Sequence, residues 1–346
     1  MDTLLYIVVG LGLIAIWQVV RVYELSEELK GSEREEVTDG ENRFNSTMVF
    51  LGILGFIATC AYQFMEYGKY LLPEASSKHG PQIDQLFNVT LILITTVFVL
   101  CHLVLAWFAF RYFYKKDNTA TYYTHNNKLE IIWTAIPTVV LIGLIGYGLT
   151  VWNNVMYAQN SQVNPSRIEV YGKQFQWLAR YPGEDKQLGS FSHRLIDASN
   201  ALGLNVEDEF SKDDKVVSEL HLVVDKPVHL TFRSQDIIHS AYMPHFRVQM
   251  NCVPGMTTQF AFTPTKSTEQ IREEMGDDQF DYVVICNKIC GAAHYTMKMT
   301  VVVETQEEYD TWLGEQPVFY VEETISETNA SDLIVEEGPN QKENSL

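Results

Sequence analysis

Four runs of apolar residues in the first half of the chain have bilayer-spanning length: 3–22, about 47–66, about 86–112 and about 131–152. The first lacks a basic start and a small-residue cleavage site, so it reads as a span rather than a signal peptide. Pro137, inside the last run, predicts a kink. After residue 165 the period shortens to the alternation of strands. RIEVYGKQFQWLARY reads as a strand or bent strand pair, and ELHLVVDKPVHLTFRS as two strands around a turn at Asp225-Lys226-Pro227. TTQFAFTP, DYVVIC and TMKMTVVVET read as further strands. Short strands separated by turn signals predict a sandwich or barrel. Residues 182–218 interrupt them with an acidic, turn-rich insertion. Ser267 with Gln270, and Thr305 with Glu308, predict capping boxes before two short helices. From about residue 320 the chain is acidic and poor in aromatics, the composition of a disordered tail.

Basic residues orient the spans. Arg21, Lys30, Arg34 and Arg43 flank the first connection, and Arg111, Lys115, Lys116 and Lys128 the third. The second has only Lys69 and Lys78. The richer loops face the cytoplasm, which puts the N-terminus and everything after residue 153 on the opposite side. The net charge of −19 argues against nucleic acid as a partner and suits a soluble face that attracts a basic one. His102, within the third span, is a functional candidate by position. With no second polar residue at helical spacing, a helix–helix hydrogen bond is the expected role.

Five cysteines are too few for a disulfide framework at this length. Cys60 and Cys101, in apolar runs, read as small buried residues, and Cys252 as a packed strand residue. Cys286, Cys290, His294 and Met297 follow one another at offsets of four, four and three, with His239 upstream in FRSQDIIHSAYMP. Soft sulfur with borderline nitrogen excludes magnesium and calcium as ions for this set. Four readings compete: buried cysteines with incidental neighbours, a strained disulfide, structural zinc and copper. Met297 favours copper, because a thioether is a poor zinc ligand. A second thiolate beyond the one of a blue copper site suggests two coppers bridged by both sulfurs. Copper tethered to a membrane points to electron transfer.

CNKICGAAHYTM resembles the purple-copper loop of cytochrome c oxidase subunit II, and SQDIIHSAYMP that family's Ser-x-Asp-x-x-His-Ser-x-x-x-Pro pattern. LEIIWTAIP resembles its Glu-x-x-Trp-Thr-x-x-Pro helix start, and GKQFQW the aromatic segment opening its copper domain. The resemblance covers about residues 85–315. It implies membrane α-helical hairpins followed by an all-β cupredoxin-like sandwich. The implied domains are an extra transmembrane hairpin with its loops over 1–84, a second hairpin over 85–153, the copper domain over 154–315 and the acidic tail over 316–346. His239, Cys286, Cys290, His294 and Met297 are the implied ligands of a dinuclear copper centre, with the backbone carbonyl of Lys288. The implied activity is that of the subunit through which electrons enter a haem–copper terminal oxidase. They pass from a c-type cytochrome, or a cytochrome domain of a partner complex, through copper to haem in subunit I, where oxygen becomes water. Other membrane subunits and lipid are the remaining partners, and the bacterial inner membrane is the implied location, with four spans and the copper domain periplasmic. Glu130 corresponds to the family's carboxylate at the mouth of a proton pathway.

Three departures stand out. Lys288 replaces the glutamate usual between the cysteines, whose carboxylate binds magnesium in the family; that role cannot fall to a lysine, and magnesium stays in doubt. The family's electron-accepting tryptophan falls at Phe175, while Trp177 keeps the second aromatic position; with Tyr242 these form the expected apolar cover. The additional N-terminal hairpin has no counterpart. Two rivals remain: a copper-free quinol-oxidase subunit II, which the intact ligand set disfavours, and a membrane-anchored copper carrier or assembly factor.

Overall fold

The computed structural model describes residues 2–29, 38–158, 164–197 and 199–319, and the stretch read as disordered from about residue 320 lies outside them. Among the described residues, four α-helices precede the strands: α1 (Asp2–Leu29), α2 (Asp39–Tyr67), α3 (Gly80–Arg111) and α4 (Asn127–Asn153). Among the described residues, three helical stretches have the length and apolar composition to cross a membrane: Asp39–Tyr70, Gly80–Arg111 and Asn127–Tyr157. The span expected at 3–22 falls on α1. Apolar side chains along these helices are exposed in the isolated chain, as lipid-facing surface must be. Cys60 is accordingly half-buried and Cys101 exposed, rather than buried as expected. An apolar helix in a bilayer needs no protein cover on every face.

The chain divides into two compact units. In the first, Phe56 of α2 packs on Phe98 and His102 of α3, with centroids 6.0 and 5.7 Å apart. His102 Nδ1 lies 2.8 Å from the Phe98 carbonyl. That bond is within its own helix, not between helices as expected, because the carbonyl one turn earlier is within reach of the ring.

The second unit is a sandwich with two membrane attachments. Its strands are β1 (Ser166–Lys173), β2 (Gln176–Tyr181), β3 (Lys215–Val217), β4 (Leu220–Val223), β5 (Val228–Ser234), β6 (His239–Met243), β7 (Val248–Cys252), β8 (Thr258–Phe262), β9 (Tyr282–Cys286) and β10 (Lys298–Glu304). They form two five-stranded sheets, ordered β3-β2-β1-β5-β8 and β4-β10-β9-β6-β7. The turn at Asp225-Lys226-Pro227 therefore does not close a hairpin; it carries the chain from one sheet to the other. Each sheet contains one parallel pair, β1 with β5 and β4 with β10. β10 shows the period-two pattern clearly, with Met299, Val301 and Val303 buried and their neighbours turned outward. Val151 and Val155, at the end of α4 and just beyond it, join the sandwich core, which seats the sandwich on its helix.

The segment before α3 clamps the other side. Ser76 N–H donates to the His245 carbonyl at 2.7 Å, Lys78 N–H to Thr263 at 3.0 Å, and Ser77 Oγ to Phe246 at 2.7 Å. Arg247 reaches Asp84 of α3 at 2.7 Å. Buried His79 lies against Phe260 and Phe262.

Both expected capping boxes are present, Ser267 with Gln270 at α5 (Thr268–Met275) and Thr305 with Glu308 at α6 (Gln306–Glu315). The acidic insertion is more than an interruption, since it supplies β3. Buried Arg180 of β2 pairs with Glu169 of β1 at 3.1 Å and with Asp214 of the insertion, and donates to the Gly189 carbonyl at 2.6 Å. Arg233 of β5 completes the charge ladder on Glu169, and its guanidinium stands 3.5 Å from the centroid of Phe191 in the insertion. Two cations and two carboxylates thus neutralise one another under the covering segment.

Candidate metal centre

Sheet alternation and register assemble the site. Tyr282, Val284 and Cys286 are the buried positions of β9, so Cys286 ends the strand on its core face. On β6, His239, Ala241 and Met243 share a face, and Ala241 is the partner of Cys286. His239, two residues earlier, is therefore the diagonal neighbour of Cys286. Asn287 N–H continues the pairing to the Ser240 carbonyl at 2.9 Å. Between β9 and β10 the loop turns back through Gly291 and a short helical turn, His294–Thr296, and Cys286 N–H closes it on the Met297 carbonyl at 3.1 Å.

The result is a cluster of soft donors. Cys286 Sγ lies 3.8 Å from His239 Nδ1 and 3.9 Å from Cys290 Sγ. Cys290 Sγ lies 3.5 Å from His294 Nδ1 and 3.8 Å from Met297 Sδ. The Lys288 carbonyl faces Cys286 Sγ at 3.2 Å, while its side chain is exposed. His239, Cys286, Cys290 and Met297 are buried and His294 is half-buried. The sulfurs are not bonded, as a disulfide needs about 2 Å between them. Burial, then the hydrogen bond and charge of Cys286 beside it, pushes the Cys290 thiol up to about 11. Such a thiol keeps its proton at neutral pH unless a cation takes its place. Two thiols and a thioether, which are soft, and two borderline imidazole Nδ1 atoms lie close together and largely buried, a donor set that fits copper. All five side chains named from sequence meet here.

Sequence reasoning missed Asp236 and Gln174. Asp236 Oδ1 stands 2.9 Å from His239 Nε2, which leaves Nδ1 facing the sulfurs with its lone pair. Desolvation opposes its charge, but hydrogen bonds from Gln174 N–H, His239 and Ile237 N–H outweigh that and lower its pKa. Its place three residues before the histidine was the available signal. Gln174, at the tip of the β1–β2 hairpin, donates from Nε2 to the Cys290 carbonyl at 2.5 Å.

The aromatic residues divide by depth. Trp177 is 1% exposed, and its ring meets His239 edge to face at 5.9 Å. Gly172 leaves room for both, since a Cβ there would lie 2.9 Å from Trp177 and 3.3 Å from His239. Phe175 is half-buried over Gly291. Tyr242 is no part of the cover, because strand alternation turns it to the face opposite His239. Cys252 pairs with His239 across β7 and is fully buried. Burial above all raises its thiol to about 12, so it is a packed strand residue. Glu130 lies far along the chain in the first turn of α4, where its carboxylate faces Asn126 N–H at 3.4 Å beside Thr134 and Thr138.

Comparison with known proteins agrees across both halves of this arrangement. A family model described as cytochrome C oxidase subunit II, transmembrane domain, matches residues 65–151, and one described as cytochrome C oxidase subunit II, periplasmic domain, matches residues 167–305. The alternative cytochrome c oxidase subunit 2 of Bradyrhizobium diazoefficiens is 36% identical over 240 residues, 68% of this chain and 81% of its own. Cytochrome c oxidase subunit 2 of Cereibacter sphaeroides is 27% identical over 249 residues, 69% of this chain and 77% of its own. Among solved structures, the periplasmic domain of subunit II of cytochrome oxidase (CoxB) of Bradyrhizobium japonicum aligns with 44% of this chain and 94% of its own, at 19% identity and a TM-score of 0.31.

Proposed function

The chain belongs to the cytochrome c oxidase subunit II family, and on that premise we propose that the closed end of its sandwich holds a dinuclear copper centre. The family role is that of the subunit through which electrons enter a haem–copper terminal oxidase, a membrane oxidoreductase whose oxygen site lies in another subunit. The ligands proposed are His239, Cys286, Cys290, His294 and Met297, with the carbonyl of Lys288. The observation that carries this reading is that ligand atoms of His239, Cys286 and Cys290 all lie within 4.8 Å of one another.

Bound there, copper supplies one-electron storage shared between two metals. The chain supplies geometry and dryness. The β6–β9 register holds Cys286 and His239 together, Asp236 keeps the proton of His239 on Nε2, and Trp177 closes the back of the site. Phe175 and half-buried His294 form the surface a c-type cytochrome or cytochrome domain reaches first, with Trp177 behind them. The acidic exterior steers that basic donor. Lys288 puts an ammonium where the family's carboxylate binds magnesium, so no magnesium is assigned. Glu130 collects protons at the cytoplasmic end of α4 for delivery to subunit I. Four spans, α1 included, leave the N-terminus and the sandwich on the periplasmic side.

Metal analysis of the detergent-solubilised full chain tests the centre. Two coppers per chain with a mixed-valence spectrum are expected. One labile copper would make the protein a carrier, and zinc would defeat both readings.

A further inference from the structure

We infer, on the basis of the copper assignment above, that Gln174 is a positioning residue that clamps the two ligand-bearing segments to each other. It sits in the connection between β1 and β2, on the sheet opposite the one that carries the ligands. Its main-chain N–H donates to Asp236 Oδ2 at 2.7 Å, and the other oxygen of that carboxylate holds His239 Nε2 at 2.9 Å. Its side-chain amide donates to the Cys290 carbonyl at 2.5 Å. One residue therefore reaches the His239 arm through its backbone and the Cys290 arm through its side chain. Ser166–Gly172 of the same β1 is paired along its length with β5, so the tip is held from behind.

The contact has little slack. Gly291, which shares the Cys290 peptide, has φ +136°, and a Cβ there would lie 3.0 Å from Gln174 Nε2 and 2.9 Å from Phe175 Cζ. Holding the Cys290 carbonyl sets the plane of that peptide, and hence the direction in which Cys290 Sγ points toward Cys286 Sγ, 3.9 Å away. The requirement is for a donor at this length. Glutamate has the same reach and no proton to give at neutral pH, and it would turn a charge toward the carbonyl. Lysine reaches as far and donates. Neither change touches the backbone bond to Asp236, so the side-chain contribution can be read alone.

The test uses the assembled, copper-loaded oxidase carrying wild-type, Gln174→Ala, Gln174→Glu or Gln174→Lys subunit. Loss of copper to the copper(I) chelator bathocuproine and the hyperfine pattern of the mixed-valence electron paramagnetic resonance signal are recorded. The Ala and Glu variants should lose copper about 10-fold faster than wild type, the low end of the effect of removing a partner just outside a metal's ligands. Their hyperfine lines should broaden at full initial copper content, while Lys returns both readouts close to wild type. Wild-type behaviour of Ala and Glu would overturn the clamp, as would a Lys variant as perturbed as Ala. A wild-type oxidase with no mixed-valence signal from this subunit is a separate result, and it would remove the copper assignment itself.

Discussion

Cys286 Sγ stands 3.8 Å from His239 Nδ1, although 47 residues separate them along the chain. Strand register makes the contact, and a slip of one residue between β6 and β9 would turn one of the two to the other face. The candidate metal site is thus a property of the folded sheet as much as of the loop that supplies most of its donor atoms. Replacing Cys286 with serine leaves this register intact and removes one of the paired sulfurs. Cys286→Ser should abolish the mixed-valence signal while the helices still insert, as checked by copper stoichiometry and membrane fractionation. Unchanged copper content would refute the ligand assignment.

Removing the centre of the charge ladder should cost far more than removing a surface ion pair. Arg180 has no exposed surface and serves Glu169, Asp214 and the Gly189 carbonyl together. Arg180→Leu strands Asp214 under the insertion and leaves Glu169 with Arg233 alone, for an expected loss of about 3–5 kcal/mol. Chemical denaturation of the solubilised chain, compared with a half-buried control such as Arg272→Leu, measures it.

Acid should loosen the clamp between the segment before α3 and the sandwich. Desolvation, with the nearby Arg247 charge, brings both His79 and His245 down from 6.5 to about 4, although the Arg247 carbonyl partly supports the charged form of His79. Between those values the unfolded chain binds more protons than the folded one, so stability is full above about pH 6.5 and is lost as the pH falls toward about 4. Arg247, which acts on both rings, is itself paired with Asp84. The unfolding midpoint should fall over this range, and His79→Phe, which keeps an aromatic ring between Phe260 and Phe262, should flatten the fall. An unchanged slope would assign the pH dependence elsewhere.

Glu130→Gln keeps the volume and the acceptor facing Asn126 but removes the exchangeable charge at the start of α4. Oxygen consumption by the reconstituted complex should slow while copper content stays at its wild-type value. Full turnover in the variant would end the proton-uptake assignment.

Local signals made some elements legible. Serine and threonine caps followed at the third position by Gln and Glu start α5 and α6 because those bonds close within one turn. Alternation revealed the strands for the same reason, since it reports which face of a pleat is buried. It could not reveal partners. The residues on either side of Asp225-Lys226-Pro227 read as neighbouring strands, yet β4 and β5 lie in different sheets. Pairing depends on what the rest of the chain leaves open, and periodicity carries no record of that.

The chain by itself determined the donor set, its loop spacing and the apolar helices that precede it, because ligand chemistry and transfer from water are properties of individual side chains. Only the tertiary structure decided that Trp177 lies behind His239, that Tyr242 faces away, and that Asp236 and Gln174 tie the two ligand arms together. Those are relations between distant segments. They are settled by sheet register and close packing, which exist only once both sheets have formed.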